Sequence, residues 1–370
     1  MAAPSAHMAL ALGAAEGVRG ATSPNPWVGA ALVRDGTVIA SGATEPPGGR
    51  HAEAVVLDLA GSAARGAELF VTLEPCMPFP GKRTPSCAAR LIAAGVVRVH
   101  VALLDPDPNV SGLGIQYLRD AGIEVIVGEG ADLARTSLRP YMKHRSTARP
   151  YVIARWASSL DGRTATSTGE SKWITGSVAR DRSHRERTRV DAILTGSGTV
   201  IADDPALTAR PGGVLSPHQP VRVVTDARGR ISPSAALFAA PGRTIIATSA
   251  AADPAWRSAI SSSGAQVLLC EATPAGVNLD QLFGVLASRG IMSIWAEAGA
   301  TLLGALFDAG LVDEVFAFLA PMVIGGAAAR PSVAGHGVAS LSGAARLRSS
   351  TIEQLGEDIL VRGYIGAWEP

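Results

Sequence analysis

Three cysteines, a nearly balanced charge and no long apolar run are what this 370-residue chain has to offer on those counts, and each scarcity excludes something. Cys76, Cys87 and Cys270 are too few for a disulfide framework, which points to a reducing compartment. Lys and Arg number 33 against 32 Asp and Glu, a net charge of +1, so no nucleic-acid surface is expected and the substrate should be small. No apolar stretch reaches the roughly 18 residues of a membrane span. Residues 1–15 lack the basic start and set-off cleavage site of a secretory leader, so a soluble, cytoplasmic protein is expected. Also missing is a G-x-G-x-x-G turn with a downstream acid in strand-helix-strand context, which disfavours a standard Rossmann dinucleotide site.

What is present is enough apolar sequence, 47% of residues, to build two cores, and the length suits two domains. An Ala-rich helix near His7–Glu16 leads to Ser23-Pro24-Asn25-Pro26-Trp27, then to a hairpin turned at Asp35-Gly36. Asn25, held between prolines, either presents its amide to a ligand or caps its own loop. Helices and strands then alternate to a final helix near Ala131–Lys143, which predicts a three-layer α/β domain. The polar stretch Ser146-Thr147-Ala148-Arg149-Pro150 marks the boundary, giving domains 1–146 and 147–370.

The chemistry of the first domain gathers at His51-Ala52-Glu53, Glu74-Pro75-Cys76 and Cys87. One imidazole and two thiols can hold zinc with one position open, while a carboxylate two residues past the imidazole can move a proton beside it. Nucleobase deaminases use this order, with the Glu as a proton shuttle and not a ligand. A closed structural zinc site would want a fourth Cys or His, and none lies nearby in the sequence. Ten residues, MPFPGKRTPS, separate the cysteines where the simplest pattern has two. The second domain again alternates, with strands at DAILTG, VRVVTD, TIIATS, AQVLLC, SIWAEAG and EVFAFLAP and a late antiparallel pair near 350–352 and 359–365, a mixed sheet covered by helices. Three of its segments carry polar groups at strand exits: Ser159–Arg163 running on to Ser171–Thr175, Thr195–Asp204 running on to Arg210, and Glu297–Thr301. Small residues there let backbone amides approach phosphate.

The segments PNPWVG, HAEA, TLEPC, GKRTPSC, ASSLDGRTATSTGESKWITG, ILTGSGTVIADDPALTAR and WAEAGATLLGAL, in that order, closely resemble the bifunctional deaminase-reductases of riboflavin biosynthesis over nearly the whole chain. The resemblance implies an N-terminal zinc deaminase of cytidine deaminase-like fold and a C-terminal NADPH-dependent reductase of dihydrofolate reductase-like fold. It implies His51, Cys76 and Cys87 as zinc ligands and Glu53 as the catalytic proton shuttle. Ala157, Trp173, Thr199, Asp203 and Gly299 match cofactor-binding positions, and Ser171, Arg187, Leu207, Arg210 and Glu297 match substrate-binding positions, with Asn25 the candidate in the deaminase half. The implied reactions are deamination of 2,5-diamino-6-(5-phosphoribosylamino)pyrimidin-4-one to a uracil, then reduction of its ribosyl group to ribityl. Assembly as a homodimer is expected. Met77-Pro78-Phe79-Pro80 stands where the family usually carries paired histidines, so a reductase with a silenced deaminase domain is the alternative.

Overall fold

The structure is a computed structural model and describes residues 3–78, 86–108 and 110–366. It divides into two compact units, one ending at Arg149 and the next beginning at Pro150. The boundary expected after Ser146 therefore falls inside the last turn of a helix, because the helix near Ala131 continues to Thr147 before Ala148 closes it in a left-handed conformation. Among the described residues no helix is long and apolar enough to cross a membrane.

The first unit runs α1 (Ala6–Gly17), β1 (Gly29–Arg34), β2 (Thr37–Ala43), α2 (Ala52–Ala60), β3 (Glu68–Val71), α3 (Cys87–Ala94), β4 (Arg98–Val101), α4 (Leu113–Asp120), β5 (Glu124–Val127) and α5 (Ala131–Thr147). The sheet order is β2-β1-β3-β4-β5, with β1 antiparallel to both neighbours and β3, β4 and β5 parallel. Asp35 and Gly36 both adopt positive φ, 50° and 73°, the geometry that lets a two-residue turn match strand twist. Two glycines show how the helices seat. A Cβ on Gly29 would lie 1.9 Å from the Ala11 carbonyl oxygen of α1, and one on Gly42 would lie 2.7 Å from Val55 of α2. Gly42 pairs with Ala30, the neighbour of Gly29, so the two glycines face opposite ways and α1 and α2 cover opposite faces. The unit is three-layered, as its alternating elements predict.

The second unit contains β6 (Tyr151–Ser159), β7 (Arg163–Ala165), α6 (Ser177–Arg187), β8 (Ala192–Gly196), α7 (Ser197–Asp203), β9 (Val221–Thr225), α8 (Ala236–Ala239), β10 (Thr244–Thr248), α9 (Pro254–Ser262) and β11 (Gln266–Leu269). After the small ribbon of β12 (Ala272–Thr273) and β13 (Gly276–Val277) come α10 (Leu279–Ser288), β14 (Ser293–Glu297), α11 (Ala300–Asp308), β15 (Glu314–Ala320), β16 (Arg330–Pro331), β17 (Arg348–Leu355) and β18 (Asp358–Tyr364). Nine strands form the main sheet in the order β11-β10-β9-β8-β14-β6-β15-β18-β17. The first seven are parallel, and β18 and β17 close the edge antiparallel.

Period-two alternation divides this core in two. Val152, Ala154, Leu194, Ile294, Ala296, Val315 and Ala317 join one buried cluster, while Tyr151, Ile153, Ile193, Trp295, Phe316 and Phe318 join another. The strands are apolar on both faces because helices cover both, which is why they read as near-continuous hydrophobic runs. Cys270 is buried within the first cluster as a free thiol that packs among apolar side chains.

Gly29→Ala is expected to destabilise the first unit by at least about 2 kcal/mol, since its new Cβ meets backbone and not a movable side chain. Thermal unfolding followed in that variant, with reductase turnover as the control, checks this; an unchanged melting curve would mean that α1 yields.

Candidate active sites

In the first unit, two helix starts and one strand exit bring the metal-competent side chains together. His51 is the N-cap of α2, Cys87 is the first residue of α3, and Cys76 follows β3 across Glu74-Pro75. Ser86 fixes the second helix start: its hydroxyl accepts from the Ala89 N–H at 3.2 Å and donates to the Cys76 carbonyl at 2.8 Å. Cys76 Sγ lies 3.7 Å and Cys87 Sγ 3.4 Å from His51 Nδ1. Tetrahedral zinc, with sulfur at about 2.3 Å and nitrogen at about 2.0 Å, sets such ligand atoms roughly 3.6 Å apart. The spacing and the donor set fit zinc. Among the described residues this is the one cluster of three or more His, Cys, Asp or Glu arranged to hold an ion.

Charge at the cluster favours a cation. The Cys87 thiol is pushed well up by its hydrogen bond with Cys76, by burial and by Glu53. Glu53, 3% exposed in the first turn of α2, is lifted to about 7 by burial first and by Cys76 next. A bound cation reverses the direction for a thiol that it ligates.

Glu74 is part of the TLEPC segment, but the sequence alone gave it no task. Its carboxylate accepts backbone N–H groups from Asp105 at 3.2 Å, Gly112 at 2.9 Å, Gly114 at 2.9 Å and Ile115 at 3.2 Å. Four such bonds anchor the start of α4 under the strand exit that leads to Cys76. Gly114 is required there, because a Cβ would sit 2.2 Å from the Pro75 carbonyl oxygen. Asn25 lies in the loop between α1 and β1, where its N–H donates to the Thr22 carbonyl at 2.9 Å and its own carbonyl accepts from the Thr22 hydroxyl at 3.0 Å. Those bonds fix its backbone. Phe79 to Pro85, most of the lengthened loop between the cysteines, lie outside the described residues.

In the second unit, all ten candidates for the reductase half line one cleft of about 2850 Å³: Ala157, Ser171, Trp173, Arg187, Thr199, Asp203, Leu207, Arg210, Glu297 and Gly299. The cleft opens at the carboxyl ends of β6, β8, β9 and β14, where open parallel sheets hold ligands. It exceeds the roughly 300–1,000 Å³ of an ordinary small-molecule pocket, leaving room for two ligands together. The N-terminal turn of α11 and the small residues Gly196–Thr199 face it, a setting that suits the pyrophosphate of a dinucleotide. The Thr199 hydroxyl ties them by accepting the Gly299 N–H at 3.2 Å. Lys172 pairs with Asp203 at 3.6 Å, and the Arg180 guanidinium stacks 4.4 Å from the ring of the exposed Trp173.

Glu297 is the most constrained group in the cleft. Arg187 donates to one of its oxygens through Nε at 3.0 Å and Nη2 at 2.8 Å, Trp295 donates to the same oxygen at 3.1 Å, and Arg155 donates to the other at 3.1 Å. Burial pushes the carboxyl up, but the two guanidinium groups outweigh it and hold it at about 2. Arg187 also donates to the Thr208 carbonyl at 2.7 Å and is only 9% exposed, so its fork is turned inward, whereas Arg210 is exposed. The sequence reading missed Arg155, although it is the charged residue in the buried run YVIARWAS and pairs in register with Glu297 on the adjacent strand. Asp161, in the first polar segment, is structural: it accepts the Ser159 hydroxyl at 2.6 Å and the N–H groups of Ile324 at 3.1 Å and Gly325 at 2.8 Å.

Residues 150–361 match the family model of the RibD C-terminal domain, and residues 1–103 match that of the cytidine and deoxycytidylate deaminase zinc-binding region. The chain belongs to the RibD family. It is 39% identical to the Escherichia coli riboflavin biosynthesis protein RibD over 371 residues, covering 98% of this chain and 99% of that protein. It is 41% identical to the Chlamydia pneumoniae protein of the same name over 303 residues, covering 82% and 80%. The solved structure of Acinetobacter baumannii RibD superposes with a TM-score of 0.87 at 37% identity, covering 98% of each chain. The protein is thus a bifunctional deaminase and reductase of riboflavin biosynthesis, with a zinc-binding deaminase domain and an NADPH-using reductase domain. The reductase-only reading is not favoured.

Gly114→Ala is expected to lower zinc content although it touches no ligand, since it presses on the Pro75 carbonyl beside Cys76. Metal analysis of the purified variant decides it, and full zinc occupancy would show that this contact does not position the cysteine.

Proposed function

We propose that the unit ending at Arg149 deaminates 2,5-diamino-6-(5-phosphoribosylamino)pyrimidin-4-one, and that the unit beginning at Pro150 reduces the ribosyl group of the resulting uracil to ribityl. The observation that carries the reading is the pairing of a His51–Cys76–Cys87 cluster beside a buried Glu53 with a separate cleft lined by every reductase candidate. In support, a solved relative from Thermotoga maritima, 30% identical with a TM-score of 0.85, is named a deaminase and reductase of these substrates.

In the deaminase half, His51, Cys76 and Cys87 hold zinc, which when bound supplies the Lewis acidity that makes water nucleophilic at neutral pH. Glu53 takes the proton from the attacking water and returns it to the departing ammonia. Burial excludes bulk water from that exchange. Asn25 is the candidate for holding the ring.

In the reductase half, NADPH supplies the hydride, and Ala157, Trp173, Thr199, Asp203 and Gly299 orient it. The sugar accepts hydride at C1′ once its ring has opened to the C1′ imine, and the imine nitrogen takes a proton. Ser171, Leu207, Arg187 and Glu297 frame the substrate, with Arg187 and Arg155 keeping Glu297 ionised so that it accepts hydrogen bonds from sugar hydroxyls. Arg210, with its guanidinium exposed in the cleft, reads the 5′-phosphate. A reducing cytoplasmic setting and a homodimer complete the proposal.

Two experiments test the halves separately. Glu53→Gln is expected to keep its zinc yet lose ammonia release by roughly 100-fold or more, while Cys87→Ser loses the metal and keeps the reductase. Near-normal deamination by the first variant would remove Glu53 from its role. Arg210→Ala is expected to raise the reductase KM for the phosphorylated aminouracil about tenfold or more, on the scale of one charge-assisted hydrogen bond, with a much smaller effect on the dephosphorylated compound. Equal losses on both compounds would mean that Arg210 does not read phosphate.

A further inference from the structure

Arg210 sits on a strap, residues 208–212, that belongs to no sheet and leads into a short 3₁₀ turn at Pro211–Gly213. The Leu207 just before it adopts a left-handed φ of 50°, so the strap is held in place against its own backbone preference. Its bonds fall on two sides. On one, the Gln219 side chain accepts from the Ala209 N–H at 2.8 Å and donates to the Ala209 carbonyl at 2.9 Å. On the other stands α6. Asp181, His184 and Arg187 recur every third residue and share one face of that helix. Each meets a different backbone group of the strap: the Asp181 carboxylate accepts from the Gly212 N–H at 2.5 Å, His184 Nδ1 accepts from the Arg210 N–H at 3.4 Å, and Arg187 donates to the Thr208 carbonyl at 2.7 Å. The three contacts run in order along the helix and in reverse order along the strap, as rungs of a ladder.

The middle rung has a chemical requirement. Arg187 Nη1 also approaches His184 Nδ1 at 3.4 Å, so that nitrogen faces two donors and must be unprotonated. Burial, then Arg187 and Arg210, hold the imidazole down at about 4, which keeps it neutral and an acceptor. Beyond the ladder, Arg210 Nη1 donates to the Thr208 hydroxyl at 2.9 Å, so the guanidinium is braced within the strap that the ladder positions.

The geometry points to Asp181 and His184 as positioning residues that aim Arg210 at the phosphomonoester of the reductase substrate. The inference rests on the phosphate reading of Arg210 given above. His184 acts through Arg210: it sets where the guanidinium stands when the phosphate arrives, a contribution of orientation and not of contact.

Reductase kinetics of His184→Leu, His184→Asn, Asp181→Ala, Arg210→Ala and the double variant His184→Leu/Arg210→Ala, on phosphorylated and dephosphorylated aminouracil, test it. His184→Leu is expected to raise KM for the phosphorylated compound about tenfold, the scale of one lost hydrogen bond and a misaimed charge, with kcat changed less than about twofold and the dephosphorylated compound unaffected. His184→Asn, whose amide oxygen can stand where Nδ1 stood, should restore most of the KM. In the Arg210→Ala background, His184→Leu should add nothing. Should His184→Leu fail to fold, as judged by thermal unfolding, Asp181→Ala at the other end of the ladder carries the same expectation. If Arg210→Ala discriminates the two compounds while the ladder variants behave as wild type, or lose kcat equally on both, the positioning role is overturned and the Arg210 reading stands. If Arg210→Ala itself fails to discriminate, both fall.

Discussion

A carboxylate taken out of water keeps its charge only if donors or cations surround it, and both halves of this protein are built around that constraint. Glu297, half-buried at the end of β14, draws Arg155 from the adjacent strand, Arg187 from α6 and the Trp295 indole from its own strand into one constellation. Arg187 then reaches the Thr208 carbonyl and so ties the strap that carries Arg210 to the central sheet. Glu74 has no cation in its set and collects four backbone N–H groups, which fixes the segment before Cys76. Glu53 is given no comparable set of donors and rises to about 7.

Most of the architecture was legible because its signals are local. The Asp35-Gly36 turn and the helices near His7–Glu16 and Ala131–Lys143 depend on residues adjacent in sequence. The clustering of His51, Cys76 and Cys87 was legible for a different reason, since they are rare residue types whose order restricts their chemistry. What stayed hidden needs pairing across long separations. Arg155 stands 142 residues before Glu297, and only the parallel register of β6 and β14 makes them neighbours. The contacts of His184 and Asp181 with residues 208–212 likewise needed α6 to pack beside that strap, because a charged helix face read alone is indistinguishable from a solvated one. The domain boundary falls three residues later, at the far end of the polar stretch that marks it, because α5 runs on to Thr147.

The division of the main sheet into seven parallel strands and an antiparallel edge also bears on the site. Parallel strands put their carboxyl ends on one side, so Ala157, Gly196, Thr225 and Glu297 reach the cleft from four strands without long loops. Side chains on rigid strand ends hold position better than side chains on loops, which suits a reaction that must align two ligands.

The side-by-side placement of Arg155 and Glu297 has a consequence for how the chain finds its fold. Both lie on the face shared by Ile153 and Trp295, while the alternate residues Ala154 and Ala296 enter the opposite apolar cluster. A slip of one residue between β6 and β14 would turn one of the two charges into that opposite cluster and strand the other among aromatic rings. A purely apolar pair at these positions would tolerate the slip far better. The ion pair therefore acts as a proofreading mark, making the misaligned sheet costly before any ligand binds.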